Sequence, residues 1–135
     1  MLVEGLHHIN IKCTKDKIDE VKRFYGELLG LPIIRSWGQP ELEGFMFDTG
    51  DGIVEVFTDA KDELCEGAIR HFAFKTGDVE KCVETVRAAG YRITEEPKDV
   101  VIPSDPEFPV HVAFCRGPVG EEIEFFHELV NTKSN

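Results

Sequence analysis

The run from Leu6 to Gly30 is matched in kind by the run from Ile69 to Gly90, and this duplication restricts the fold more than any other feature. Each run opens with a strand that carries a histidine, His8 in the first and His71 in the second, 63 residues apart. Each then passes through a short polar segment (Thr14 to Asp16; Thr76-Gly77-Asp78) into a helical stretch closed by a glycine, Gly30 or Gly90. In the second strand Arg70, Phe72 and Phe74 share one face, and Ile69, His71 and Ala73 the other, because side chains alternate across a strand. A chain built this way is two copies of one unit.

Leu6 to Cys13 alternates as a strand, with His7, Ile9, Ile11 and Cys13 on its more apolar face and His8, Asn10 and Lys12 on the other. Asp16 to Leu29 sets Ile18, Val21, Phe24, Tyr25 and Leu28 at helical spacing. Leu31 to Trp37 is a strand and Gly38 to Gly44 a loop. Phe45 to Thr49 and Ile53 to Thr58 form a hairpin through Gly50-Asp51-Gly52. A charged connector follows, with room for a short helical turn within Asp59 to Gly67. In the second unit Asp78 caps a helix whose inner face is Val79, Cys82, Val83, Val86 and Ala89. Tyr91 to Glu95 is a strand, and Pro97 to Pro109, with four prolines, a long irregular loop. Val110 to Cys115 and Glu122 to His127 close the unit as a hairpin, and Val130 to Asn135 is a frayed tail. The phenylalanines at 45, 47, 72, 74 and 125 are assigned to the core. The expected fold is α+β. One domain, 1–135, holds two βαβββ modules (about 5–58 and 69–128) joined by a connector at 59–68, forming a curved mixed sheet around a cleft.

Both units end on a strand with a glutamate, Glu55 in Ile53–Phe57 and Glu124 in Glu122–Phe126. Parity puts Val54, Val56, Ile123 and Phe125 against a helix. Glu55 and Glu124 then point the other way, as His8 and His71 do. Two imidazoles and two carboxylates gathered in one concavity need a charge partner, and a divalent metal supplies it most simply. This donor set suits Zn, Ni, Co, Mn or Fe(II), and suits Cu(I) or an iron–sulfur cluster poorly. Four protein ligands on a six-coordinate ion leave two positions for water or for two neighbouring substrate oxygens. Such an ion stabilises an enediolate and polarises the carbonyl beside an acidic C–H. Glu55 or Glu124 at its edge can carry the proton as general base and acid.

The formal net charge of −11 excludes non-specific attraction to nucleic acid or an anionic membrane, and an anionic substrate would need a local basic patch against that field. There is no long apolar run for a membrane span and no signal-peptide pattern in Met1 to Lys12. Cys13, Cys65, Cys82 and Cys115 are scattered without a CxxC pair, which fits thiols in a reducing cytoplasm.

Four stretches together carry a resemblance. They are Leu6-His7-His8-Ile9; Arg23-Phe24-Tyr25 through Leu28-Leu29-Gly30-Leu31; Arg70-His71-Phe72-Ala73-Phe74 with Asp78-Val79; and Gly117-Pro118-Val119-Gly120-Glu121-Glu122-Ile123-Glu124. The chain resembles a two-module member of the vicinal oxygen chelate superfamily, which includes glyoxalase I, methylmalonyl-CoA epimerase, fosfomycin-resistance enzymes, bleomycin-binding proteins and extradiol dioxygenases. The resemblance implies metal ligands at His8, Glu55, His71 and Glu124, with Glu55 pointing to the His-Glu-His-Glu set of glyoxalase I. It selects Glu124 over Glu122, which shares its parity. The closing turn departs from the family's Asp-Pro-Asp-Gly, reading Gly-Pro-Val-Gly. For glutathione the basic candidates are Arg35, Lys75, Arg92 and Arg116, and nothing in the sequence ranks them. The resemblance further implies a homodimer acting on a small molecule.

The implied activity is that of a metal-dependent lyase or isomerase of the glyoxalase type, moving a proton next to a carbonyl through a metal-bound enediolate, with Glu124 and Glu55 as the acid/base candidates. Two other classes stand beside it: a metal-dependent thiol transferase or dioxygenase, and a metal-free binding protein of the resistance type. His7, His111 and His127 are assigned to surface or hydrogen-bonded roles, although His111-Val-Ala-Phe echoes His71-Phe-Ala-Phe and would also suit a substrate contact or a group behind the ligands. Trp37, in or beside a loop, either lines a pocket or simply packs.

Overall fold

The computed structural model describes residues 6–38, 43–62 and 69–129. The chain divides into two compact units, Met1–Cys65 and Glu66–Asn135.

The first unit runs β1 (His8–Lys12), a 3-10 turn (Lys15–Lys17), α1 (Ile18–Lys22), a π-helical continuation (Arg23–Leu28), β2 (Ile33–Gly38), β3 (Glu43–Asp48) and β4 (Ile53–Phe57). Its four strands are ordered β1-β4-β3-β2, with β1 parallel to β4 and the other pairs antiparallel. The widened helix has a sequence cause. Phe24 and Tyr25 are adjacent and both fully buried, which a regular α-turn accommodates poorly on one face. A bond from Leu29 N–H to the Phe24 carbonyl at 3.0 Å, spanning five residues, widens the turn and points both rings inward. The Tyr25 ring lies 5.6 Å from that of Phe47, and Phe45, Phe47, Val54 and Val56 complete the buried face. Gly30, at φ +74°, ends the helix in the left-handed region that favours glycine.

The second unit runs β5 (Phe72–Lys75), α2 (Val79–Ala88), β6 (Ile93–Ile102), β7 (Phe108–Arg116) and β8 (Glu122–Glu128). The order is β5-β8-β7-β6, with β5 parallel to β8 and the rest antiparallel. Asp78 caps α2 by accepting from the Lys81 N–H at 3.0 Å, and Gly90 at φ +94° stops it. Val79, Val83 and Val86 are buried, as are Ala113, Cys115, Ile123 and Phe125 on the sheet face that α2 covers. Burying a valine contributes about 1.5–3 kcal/mol, so these three positions anchor the helix.

Both units are α+β with four-stranded mixed sheets, and the sheets are not closed. The structure departs from the sequence reading in several places. Pro97–Ile102 is strand, so the long loop shrinks to 103–107. β6 is the edge strand, and its register shifts between Glu95 and Lys98 around Pro97, so the missing N–H interrupts nothing essential. β2 takes in Trp37 as expected but runs on to Gly38, and β5 begins only at Phe72, leaving Ile69 81% exposed. Phe72 and Phe74 are half-buried because β5 is also an edge strand. Glu43 and Gly44, expected in the loop, belong to β3; residues 39–42, most of the connector where a short helical turn is expected, and the tail from Val130 lie outside the described residues.

Candidate functional site

In the first unit β1 and β4 run parallel with His8 opposite Ile53 and Asn10 opposite Glu55. Alternation sends Ile9, Ile11, Val54 and Val56 toward the helix and His8, Asn10 and Glu55 to the face away from it. There His8 Nε2 stands 3.6 Å from Glu55 Oε1. The Asn10 side-chain amide donates to the same oxygen at 3.0 Å. Glu55 is 8% exposed, whereas the His8 side chain is 40% exposed. A buried carboxylate beside an accessible imidazole is an unusual use of a sheet surface, since charged groups are seldom buried without a partner.

The second unit repeats this arrangement on β5 and β8. Ala73 lies opposite Glu124, and His71, just ahead of β5, places Nε2 3.4 Å from Glu124 Oε1. Glu124 is 9% exposed. Burial pushes its carboxyl above the usual carboxylate range, and His71 beside it partly offsets that rise. The His71 ring also meets Phe114 edge-on at 5.4 Å. Glu122, which parity alone could not separate from Glu124, pairs instead with Arg116 at 3.4 Å.

The four sequence-derived candidates thus come together in two pairs, His8 with Glu55 and His71 with Glu124. Among the described residues, no group of three or more His, Cys, Asp or Glu is gathered to hold an ion. The chemistry of each pair nonetheless fits a divalent metal. Two donors bound about 2.1 Å from one ion stand roughly 3.0–3.4 Å apart, so separations of 3.4 and 3.6 Å need only a small closure. An imidazole nitrogen with a carboxylate oxygen is also the donor mixture such ions take.

His111 lies elsewhere. Its Nδ1 meets Asp99 Oδ1 at 2.7 Å, and its Nε2 pairs with Glu80 of α2. It is therefore on the helix-covered face of its sheet, opposite to Glu124, so the echo of the His71 motif does not make it a group behind the ligands. Asn10, which alternation already placed on the His8 face, is the site residue to which the sequence reading gave no role. Its signal was visible: a polar side chain two residues from His8 in an alternating strand must share that histidine's face.

The sequence pattern of the Glyoxalase/Bleomycin resistance protein/Dioxygenase superfamily matches residues 5–125. The chain is 31% identical over 120 residues to the lactoylglutathione lyase GLX1 of Arabidopsis thaliana, an alignment covering 77% of this chain and 42% of that protein. It therefore spans less than half the length of that relative. Among solved structures, Leishmania major glyoxalase I superposes with a TM-score of 0.72 at 21% identity, covering 93% of this chain and 87% of that one. The fosfomycin resistance protein FosX of Listeria monocytogenes, solved with Mn(II) and sulfate, superposes with a TM-score of 0.71 at 16% identity, covering 95% of each chain. The matched span takes in both histidine–glutamate pairs, and the chain belongs to the Glyoxalase/Bleomycin resistance protein/Dioxygenase superfamily.

Proposed function

We propose that this protein is a metal-dependent lyase or isomerase of the glyoxalase type, with His8, Glu55, His71 and Glu124 as the ligands of a divalent ion. One observation carries the reading: each unit sets an imidazole nitrogen 3.4–3.6 Å from a carboxylate that is nine-tenths buried, on the sheet face away from its helix. Among the described residues, those carboxylates meet a half-exposed imidazole each and, for Glu55, the Asn10 amide, and a cation would balance their charge more fully. The names of the relatives point the same way, toward lactoylglutathione lyase and Mn(II)-bound FosX.

When bound, the ion supplies Lewis-acid polarisation of a substrate carbonyl. The chain's own groups do the rest. Glu124, whose burial favours the protonated form, is suited to accept a proton from the carbon next to that carbonyl and return it to the neighbouring one. Glu55, tied by Asn10, is the more fixed carboxylate and holds its orientation. His8 and His71, each with Nε2 beside its carboxylate, would offer that nitrogen as a ligand.

A homodimer in a reducing cytoplasm completes the proposal. Among the described residues no helix is long and apolar enough to cross a membrane. Elemental analysis of purified protein beside His8→Ala and Glu124→Ala tests the core of it. Stoichiometric metal in the parent, lost in both variants, is the expected result. Wild-type protein without metal after supplementation with Zn, Ni, Co, Mn and Fe(II) would leave the binding-protein alternative. Solvent deuterium entering small α-hydroxy carbonyl substrates or thioesters would then distinguish proton transfer from thiol transfer and ring cleavage. Sedimentation at micromolar concentration tests the dimer.

A further inference from the structure

The strand register of the first unit lays its open face out in rows. One row reads Asn10, Glu55, Met46, Arg35 across β1, β4, β3 and β2, and the next reads Lys12, Phe57, Gly44, Trp37. These residues share a face with His8, and each strand step is about 4.8 Å, so the backbone of Arg35 lies roughly 10 Å from that of Glu55.

Two features of the far edge stand out. Trp37 lies flat over Gly44: a β-carbon there would fall 2.3 Å from Cζ2 of the indole. The glycine lets the indole reach across its strand to meet Phe57 at 5.9 Å between ring centroids. The two rings are nearly perpendicular, at 79°, so they form a half-buried aromatic corner beside the row that carries Glu55. Arg35 is the second feature. It is exposed, and its guanidinium donates only to Met46 Sδ, at 3.7 Å; among the described residues it meets no carboxylate. Lys12, at the other end of the aromatic row, is by contrast paired with Asp59 at 3.3 Å, and Arg116 in the second unit is paired with Glu122.

We propose that Arg35 and the Trp37–Phe57 corner form the recognition subsite for the substrate's non-reacting end, and that this end is an organic carboxylate carried on a flat apolar body. Arg35 presents the planar fork that matches a carboxylate. The indole and Phe57 supply the apolar surface on which an unsaturated or aromatic body rests. The inference extends the reading of this face as the reactive one, because only there does an anchored tail direct the other end toward His8 and Glu55.

Trp37 is the only tryptophan in the chain, so its fluorescence reports directly on this edge. The probe is phenylacetate, which chelates metals weakly, compared with its uncharged analogue phenylacetamide. Both are titrated into metal-loaded and chelator-stripped protein, with metal content measured on the same samples. Phenylacetate should perturb Trp37 emission saturably and bind about tenfold to hundredfold tighter than phenylacetamide, the range set by charge-assisted hydrogen bonding. Arg35→Gln should abolish that preference while leaving phenylacetamide binding unchanged, and Arg35→Lys should restore part of it. Gly44→Ala should displace the indole and weaken both probes. Equal affinity for the two probes, or an unaltered preference in Arg35→Gln, overturns the subsite. Failure of the two ideas is distinguishable. A carboxylate preference in protein that never binds metal sinks the metal reading and keeps the subsite. Metal lost with His8→Ala but no carboxylate preference does the reverse.

Discussion

Asn10 and Ala73 hold equivalent register positions, Asn10 opposite Glu55 and Ala73 opposite Glu124, yet only Asn10 can tether its carboxylate. Its amide donates to Glu55 Oε1, the same oxygen that faces His8 Nε2. Glu124 has no such amide, because a methyl group stands in its place. The two units therefore hold one constrained carboxylate and one freer one.

Removing the tether should cost metal affinity before it costs fold. Groups that orient a ligand typically contribute ten- to hundredfold in affinity, so Asn10→Ala is expected to weaken binding by about tenfold. Asn10→Asp should weaken the apoprotein as well, by facing two carboxylates. Ala73→Asn tests the reverse, and should restrain Glu124 and slow proton transfer with metal retained. Competition against a chromogenic chelator reads the first two and deuterium exchange the third. Unchanged affinity in Asn10→Ala would reduce the hydrogen bond to a surface contact.

Glu124 offers a second expectation, about stability without metal. Its folded-state carboxyl titrates above its unfolded value, mainly through burial. The native state therefore prefers the neutral form. The favourable contribution is fully present below the unfolded pKa and is lost as pH rises through the folded one. Glu124→Gln keeps the shape and removes the charge. Metal-free Glu124→Gln should melt higher than metal-free wild type at neutral pH, and the gap should close as pH falls toward about 4. Saturating metal should invert the order, since only wild type gains ligand-linked stabilisation. A scanning calorimetry series across pH, with and without metal, checks both halves.

The alternation of His8, Asn10 and Lys12 against Ile9 and Ile11, and of Glu55 against Val54 and Val56, already fixed which face each side chain would take. Parity is local physics, legible wherever one face is buried. Choosing Glu124 over Glu122 was not legible that way, because both have the same parity. The family resemblance chose Glu124, and the cross-strand partners, His71 for one and Arg116 for the other, give the physical separation. Composition likewise could not show that strand register puts Arg35 in one row with Glu55. The proline-rich segment misled for a related reason. Edge position and a register shift, neither visible in composition, allow Pro97 to sit within β6.

That assignment can be measured. Hydrogen exchange should be slow within 98–102 and 110–115, which pair across β6 and β7, and fast in 103–107. Pro97→Ala should shift stability by no more than about 1 kcal/mol, because the proline occupies a place where the ladder is already interrupted. Uniformly fast exchange from 97 to 107 would restore the irregular loop.

His111 binds the start of α2 to β6, with Glu80 on one ring nitrogen and Asp99 on the other. Both carboxylates accept from the protonated ring, Glu80 contributing more than Asp99, and hold its pKa above the usual histidine value. His127 lies opposite it in the β7–β8 register, so the same sheet face carries a second titratable ring. A raised folded-state pKa fixes the sign. The stabilisation is fully present below the unfolded histidine pKa of about 6.5 and is lost as pH climbs through the higher folded value. On the acid side it fades once Glu80 takes up a proton; its carboxyl is held below the usual range chiefly by the same bond. His111→Gln should therefore lower the melting temperature clearly near pH 6 and hardly at all near pH 9. The deficit at pH 6 should shrink in about 1 M salt, because Glu80 and Asp99 are mostly exposed. Metal affinity should stay at the wild-type level in His111→Gln, since the ring is on the face of β7 away from Glu124. A variant that loses metal along with the clamp would place His111 back among the functional residues.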